Sequence, residues 1–275
     1  MLPIFQSPAS GMISHQQMID VVSNNLANLN TPGFKAARTQ FQELLYRRVP
    51  TSGQPVPGRL APEPVGGPGT SPRLRDVVGA GVRLGATERN LEAGVITPDG
   101  NPLHAAVNGE GFFIVQLADG SAGYTRDGGL ARDQLGRLVT ANGDVVLPET
   151  RVPADASGIR IDSSGLIFAS VPDEAGGEVE LQLGELQLAR FINPDGLIAV
   201  GQNLFLASDA SGPALVGYPG DEGYGSIVGG ALESSNVDLA TEFTNLLIGQ
   251  RAYALSARAL QTMDDMLGMA NNLRR

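Results

Sequence analysis

Leu239, Leu246, Tyr253, Leu260 and Leu267 stand seven residues apart near the end of the 275-residue chain, flanked by Phe243, Ala257, Met263 and Ala270. Apolar side chains recurring every seven residues mark a helix with a seam for another helix. The same period opens the chain, where Phe5, Met12, Ile19 and Leu26 recur with Ala9, Val22 and Leu29 between them. Long helices are therefore predicted at both ends, about 40 Å and about 50 Å in length at a rise of 1.5 Å per residue. Asn30-Thr31-Pro32-Gly33 should stop the first, because proline drives its predecessor out of the α region and glycine accepts a left-handed conformation. Ser234-Ser235-Asn236, with Asp238 three residues after Ser235, is expected to cap the second. A rough helical spacing of Phe34, Phe41, Leu44, Leu45 and Val49 predicts a further helix over 34–49.

Between the ends the composition changes. Residues 50–72 hold seven prolines and five glycines and almost no periodic apolar signal, so an extended segment is expected. From about Val77 to Val228 short apolar runs alternate with Asp-Gly and Asn-Gly pairs, at 99–100, 108–109, 119–120, 127–128, 142–143 and 195–196. That is the pattern of strands and tight turns. The predicted fold is α+β and mainly β: a discontinuous β domain flanked by long N- and C-terminal helices that pair as a coiled coil. The divisions are 1–49, an extended 50–76, a β domain over 77–230 and a helix over 231–275.

Chemistry is sparse. With no cysteine the chain has no disulfide, thiolate metal site or Cys nucleophile. Its two histidines, His15 and His104, are 89 residues apart and belong to no His-x-x-x-His or mixed carboxylate cluster. "GAGVRLG" (79–85) places its third glycine one position late for a dinucleotide loop and lies in no βαβ unit. Asp264 and Asp265 are adjacent on a helix and face different directions. No catalytic residue, cofactor or metal is expected, and the net charge of −10 disfavours nucleic acid as a partner. No apolar run approaches the roughly 20 residues of a membrane span.

The first helix has an unusual surface. Between Leu2 and Phe34 the only formally charged residue is Asp20, and the polar positions are Gln6, Gln16, Gln17, Asn24, Asn25, Asn28 and serines. A helix lying on its own globule normally shows water a charged face. Neutral amides bond to protein without the desolvation cost of a buried charge, so this helix is expected to be enclosed by several neighbours. Two terminal helices do not supply enough of them, which points to other copies of the chain and to head-to-tail contacts that generate a filament.

Five stretches then carry a resemblance: "SNNLANLNTPGFKAARTQFQELLY" (23–46), "AVNGEGFFIV" (106–115), "YTRDG" (124–128), "LQLARFINPDGL" (186–197) and "GALESSNVDLATEFTNLLIGQRAY" (230–253). In this order and spacing the chain resembles the rod and hook group of bacterial flagellar axial proteins, and its distal-rod branch most closely. The resemblance implies a non-catalytic subunit, exported through the flagellar type III apparatus and located in the basal body within the cell envelope. It implies a helical homopolymer touching neighbouring rod proteins, the hook protein and ring proteins, with no membrane insertion. The polymer interface is expected at Phe5, Met12, Ile19, Asn24, Asn25, Leu26, Asn28, Asn30, Thr31, Gly33 and Phe34. At the other end it is expected at Leu239, Leu246, Arg251, Tyr253, Leu260 and Leu267. Another flagellar axial subunit, a proximal-rod paralogue or a short hook-type protein, is the first alternative; a secreted cell-wall-binding β protein is the second, and the lack of tryptophan argues against it.

Overall fold

A computed structural model describes residues 6–45, 47–48, 77–172 and 177–273. Phe5 and the 50–72 segment lie outside the described residues. The chain is α+β and mainly β, with helix α1 (Gln6–Ala27) and helix α2 (Leu239–Asn272) on either side of the strands in sequence. It divides into two compact units, one of Met1–Val21, Thr39–Thr87 and Phe243–Arg275, the other of Val22–Arg38 and Glu88–Glu242.

The larger unit is built on Phe112–Gln116, a strand bonded antiparallel to Ala122–Thr125, Val145–Leu147 and Leu188–Arg190 within a nine-stranded sheet. Successive side chains of a strand point to opposite faces. Phe113 and Val115 accordingly enter one core with Val107, Leu138, Val146, Ile167, Leu188 and Ile227. Phe112 and Ile114 enter a second with Tyr124, Ala189, Phe191 and Phe205. Burying one such side chain contributes about 1.5–3 kcal/mol, so a strand apolar on both faces fixes the middle of its sheet. Asp119-Gly120 turns the hairpin from this strand to the next, with Gly120 at φ +84°. A separate three-stranded sheet holds Ser157–Ile161, Leu166–Pro172 and Glu178–Glu185.

In the smaller unit α1 and α2 pair antiparallel. A Cβ placed on Gly249 would lie 3.0 Å from Ile19 Cγ1, and one on Gly11 would lie 3.4 Å from Ser256 Oγ. Residue numbers run in opposite senses across these two contacts. Serines on α1 bind main chain nearby: the Val82 amide donates to Ser10 Oγ at 3.2 Å and Ser14 Oγ donates to the Val82 carbonyl at 3.3 Å.

Two local expectations are overturned. The helix expected over 34–49 is replaced by the strand Ala37–Glu43, which pairs with Val82–Arg89. Its start alternates buried Ala37, exposed Arg38, half-buried Thr39 and exposed Gln40, a period of two that pairing stabilises over the looser helical spacing. The cap of α2 is Asp238 and not Ser235: the Ala240 amide donates to Asp238 Oδ1 at 3.0 Å and Thr241 Oγ1 donates to Oδ2 at 2.7 Å. At Ser234 the chain is still tied by its amide to the Val95 carbonyl at 2.9 Å, so the helix begins later.

Candidate functional site

Asn25, fully buried near the end of α1, treats Ala37 as a neighbouring strand would. Its Nδ2 donates to the Ala37 carbonyl at 2.8 Å and its Oδ1 accepts the Ala37 amide at 2.9 Å. Nδ2 also donates to Glu242 Oε1, in the first turn of α2, at 3.3 Å. A carboxamide offers donor and acceptor together without charge. Asn236 repeats the arrangement, accepting the Ala36 amide at 2.8 Å and donating to the carbonyls of Asn90 at 2.8 Å and Glu92 at 3.0 Å.

The Thr-Pro-Gly turn follows. Gly33 sits at φ +68°, its amide donates to the Glu233 carbonyl at 2.7 Å, and a Cβ there would lie 2.6 Å from the Asp127 nitrogen. Only glycine meets both the conformation and the space. Two residues on, Lys35 is buried in an ion pair with Glu233, and its Nζ donates to the Glu92 carbonyl at 2.7 Å. Arg126 approaches Glu233 Oε2 at 3.5 Å, donates to the carbonyls of Val107 at 3.2 Å and Gly109 at 2.7 Å, and lies over the Phe112 ring at 5.2 Å. The Gly94 amide donates to Glu233 Oε1 at 2.7 Å. Burial pushes the Lys35 pKa down, the Glu233 carboxylate opposes that, and Arg126 adds to the depression. Burial also lowers Arg126 and raises Asp127. Thus "TPGFK", "YTRDG" and "ALESSN" meet around one carboxylate. The cluster ties three segments of the larger unit together through one buried carboxylate, with Arg126 Nε and Glu233 Oε2 left without a hydrogen bond to the described residues.

The helices present a different surface. Leu246, Tyr253 and Leu260 are half-buried beside the Gly249 and Ser256 positions that meet α1. Away from that line Phe243, Leu247, Ile248, Leu255, Met266 and Met269 are 47–64% exposed, and on α1 Ile13 is exposed in the same way. Covering any one of them would contribute about 1 kcal/mol. Six large exposed apolar side chains on one helix, interspersed with exposed Arg251 and Arg258, point to a contact surface.

The expected interface residues fall into three groups. Asn25, Gly33 and Phe34 are buried, Asn28 bonds to Asn24 O and Thr31, and Thr31 is half-buried, so these make contacts inside the chain. Met12, Ile19, Leu26, Leu246, Tyr253 and Leu260 are half-buried. Asn24, Asn30, Leu239, Arg251 and Leu267 are exposed. Sequence reasoning missed the outward row on α2, because it followed the single heptad column and the second column beside it was not separated. Among the described residues no cluster of three His, Asp or Glu is placed to hold a metal ion, and no helix is long and apolar enough to cross a membrane.

A β unit joined to paired terminal helices, with an interlocked ion cluster and uncovered apolar helix faces, is the build of a self-assembling structural subunit. Residues 5–35 match the family model for flagella basal body rod proteins, 106–169 the flagellar hook protein FlgE/F/G D1 domain, and 228–273 the C-terminal region of flagellar basal body rod FlgEFG proteins. The chain is 38% identical to the flagellar basal-body rod protein FlgG of Borreliella burgdorferi, covering 100% of both. It is 36% identical to that of Caulobacter vibrioides over 98% of each chain, and 34% identical to that of Bacillus subtilis over 100% of each. The chain belongs to the flagellar basal-body rod protein family and is a structural subunit of the rod.

Proposed function

We propose that this chain is the distal-rod subunit, a protein without enzymatic activity that polymerises helically into the rigid shaft carrying torque to the hook. The terminal helices form the inner wall of that polymer. The observation that carries the reading is the uncovered apolar row on α2, Phe243 to Met269, which one copy leaves to solvent and neighbouring copies would bury. Full-length similarity to proteins named FlgG supports the distal position. A 30% identical Bacillus subtilis relative named flagellar hook-basal body complex protein FlhP marks the paralogous alternative. In this reading the chain leaves the cytoplasm through the flagellar type III apparatus, contacts neighbouring rod proteins and the hook protein, and turns inside the ring proteins of the envelope. Electron microscopy of basal bodies from a deletion strain tests it. A shortened rod without a hook is expected; a complete rod with a missing or altered hook would overturn it.

A further inference from the structure

Several asparagines of this chain bind main chain. Asn25 and Asn236 clasp both main-chain polarities, Asn203 donates to the Pro32 carbonyl at 2.8 Å, Asn142 to Gln202 at 3.3 Å and Asn193 to Ala210 at 3.0 Å. These bonds go to main chain, while Asn25 also donates to Glu242 Oε1, Asn90 to the Glu92 carboxylate and Asn101 bonds the His104 ring. Asn24 does neither. It is exposed, makes no side-chain hydrogen bond to a described residue, and lines a cleft of about 310 Å³ in the larger unit.

The same cleft holds further unspent groups. Arg89 donates from Nη1 to the Lys35 carbonyl at 2.9 Å and lies 5.5 Å above the Phe34 ring, while its other donors meet no described acceptor. Asp127 uses one carboxylate oxygen on the Gly129 amide at 2.9 Å. Gln202, held at φ +54° in a turn, has a free carboxamide at the rim. Free donors and acceptors of both kinds around a space that could hold about ten liquid waters suit a strand of peptide, whose N–H and C=O groups alternate. They suit a phosphate or a lone cation poorly, since Asp127 opposes the first and Arg89 the second.

We infer that this cleft receives an extended main-chain segment of a second copy, with the Asn24 carboxamide clasping it as Asn25 clasps Ala37. The inference rests on the rod reading above and adds to it which amide acts across copies. Asn25 acts within the chain, and Asn24, one residue earlier, acts between chains.

Because the chain has no cysteine, Asn24→Cys supplies a unique thiol for a short photoactivatable maleimide crosslinker. In basal bodies carrying the full chain, the crosslink is expected to join position 24 to main chain of another copy and to be absent from monomer. Asn24→Ala is expected to reduce assembled rods per cell about tenfold, the effect of losing two main-chain hydrogen bonds, with exchange protection of the Ala37 amide in the monomer unchanged. Chain present in rods with no adduct, with an adduct only to itself or to another protein, or with normal rod numbers in Asn24→Ala overturns the inference alone. Absence of the chain from basal bodies overturns the rod reading and this inference with it.

Discussion

Glu233 carries the junction between the chain's three motif stretches, since Lys35, Arg126 and the Gly94 amide all converge on its carboxylate. Glu233→Gln keeps the shape and removes the charge, leaving two buried cations without their counter-ion. A loss of about 3–5 kcal/mol in urea unfolding is expected; a loss below about 1 kcal/mol would show that the cluster does not tie the segments together. Glu242 gives a pH signature. Burial raises its carboxyl pKa, partly offset by the Asn25 hydrogen bond and Arg38. The folded state therefore holds the proton more tightly than the unfolded chain, whose carboxyl titrates near 4.5. Stability falls as pH rises from that value through the folded pKa and then levels. Glu242→Gln removes this loss, so it melts above the parent at pH 7, with the two converging below about pH 4; equal melting at pH 7 would contradict it. At this scale the uncharged helix end leads to the expectation that the amides near residue 25 bond to protein; Asn25 and Asn28 do, and Asn24 is exposed. The sequence did not show which protein: the partner of Asn25 is Ala37 of the same chain, brought there by a turn whose geometry depends on Asp127, about a hundred residues away.

Among the elements, the helices were legible and the strand at Ala37–Glu43 was not, for one reason. Heptad spacing is written inside the element itself, whereas the strand depends on Val82–Arg89, more than forty residues distant. The central strand was legible because four consecutive buried residues, Phe112 to Val115, need apolar cover on both faces. The heptad also concealed something. Columns 246/253/260 and 249/256 share the face toward α1, with the small Gly249 and Ser256 at the contact and larger apolar residues left outside. Apolar spacing alone does not tell which column meets the chain's own partner. Gly249→Val places methyl groups where Ile19 already stands 3.0 Å from a Cβ. Such overpacking typically costs about 1–3 kcal/mol. Faster hydrogen exchange across α1 is the expected result, with the Phe112–Gln116 amides unaffected; unchanged exchange in α1 would mean that the helices do not pair there.

For the whole molecule, the proposed function makes a folded subunit incomplete until its helices are covered by copies of itself. The ion cluster and amide clasps shape the larger unit internally, and the apolar side chains on α2 stay exposed. These roles separate in a single variant. Leu247→Glu combined with Leu255→Glu puts two charges at positions that are more than half exposed in the monomer. Electron microscopy of basal bodies, with thermal melting of the purified variant alongside, measures both roles. Melting within about 2 °C of the parent and rods that are absent or truncated are expected. A stably folded variant that builds rods of normal length would contradict assembly through this helix face.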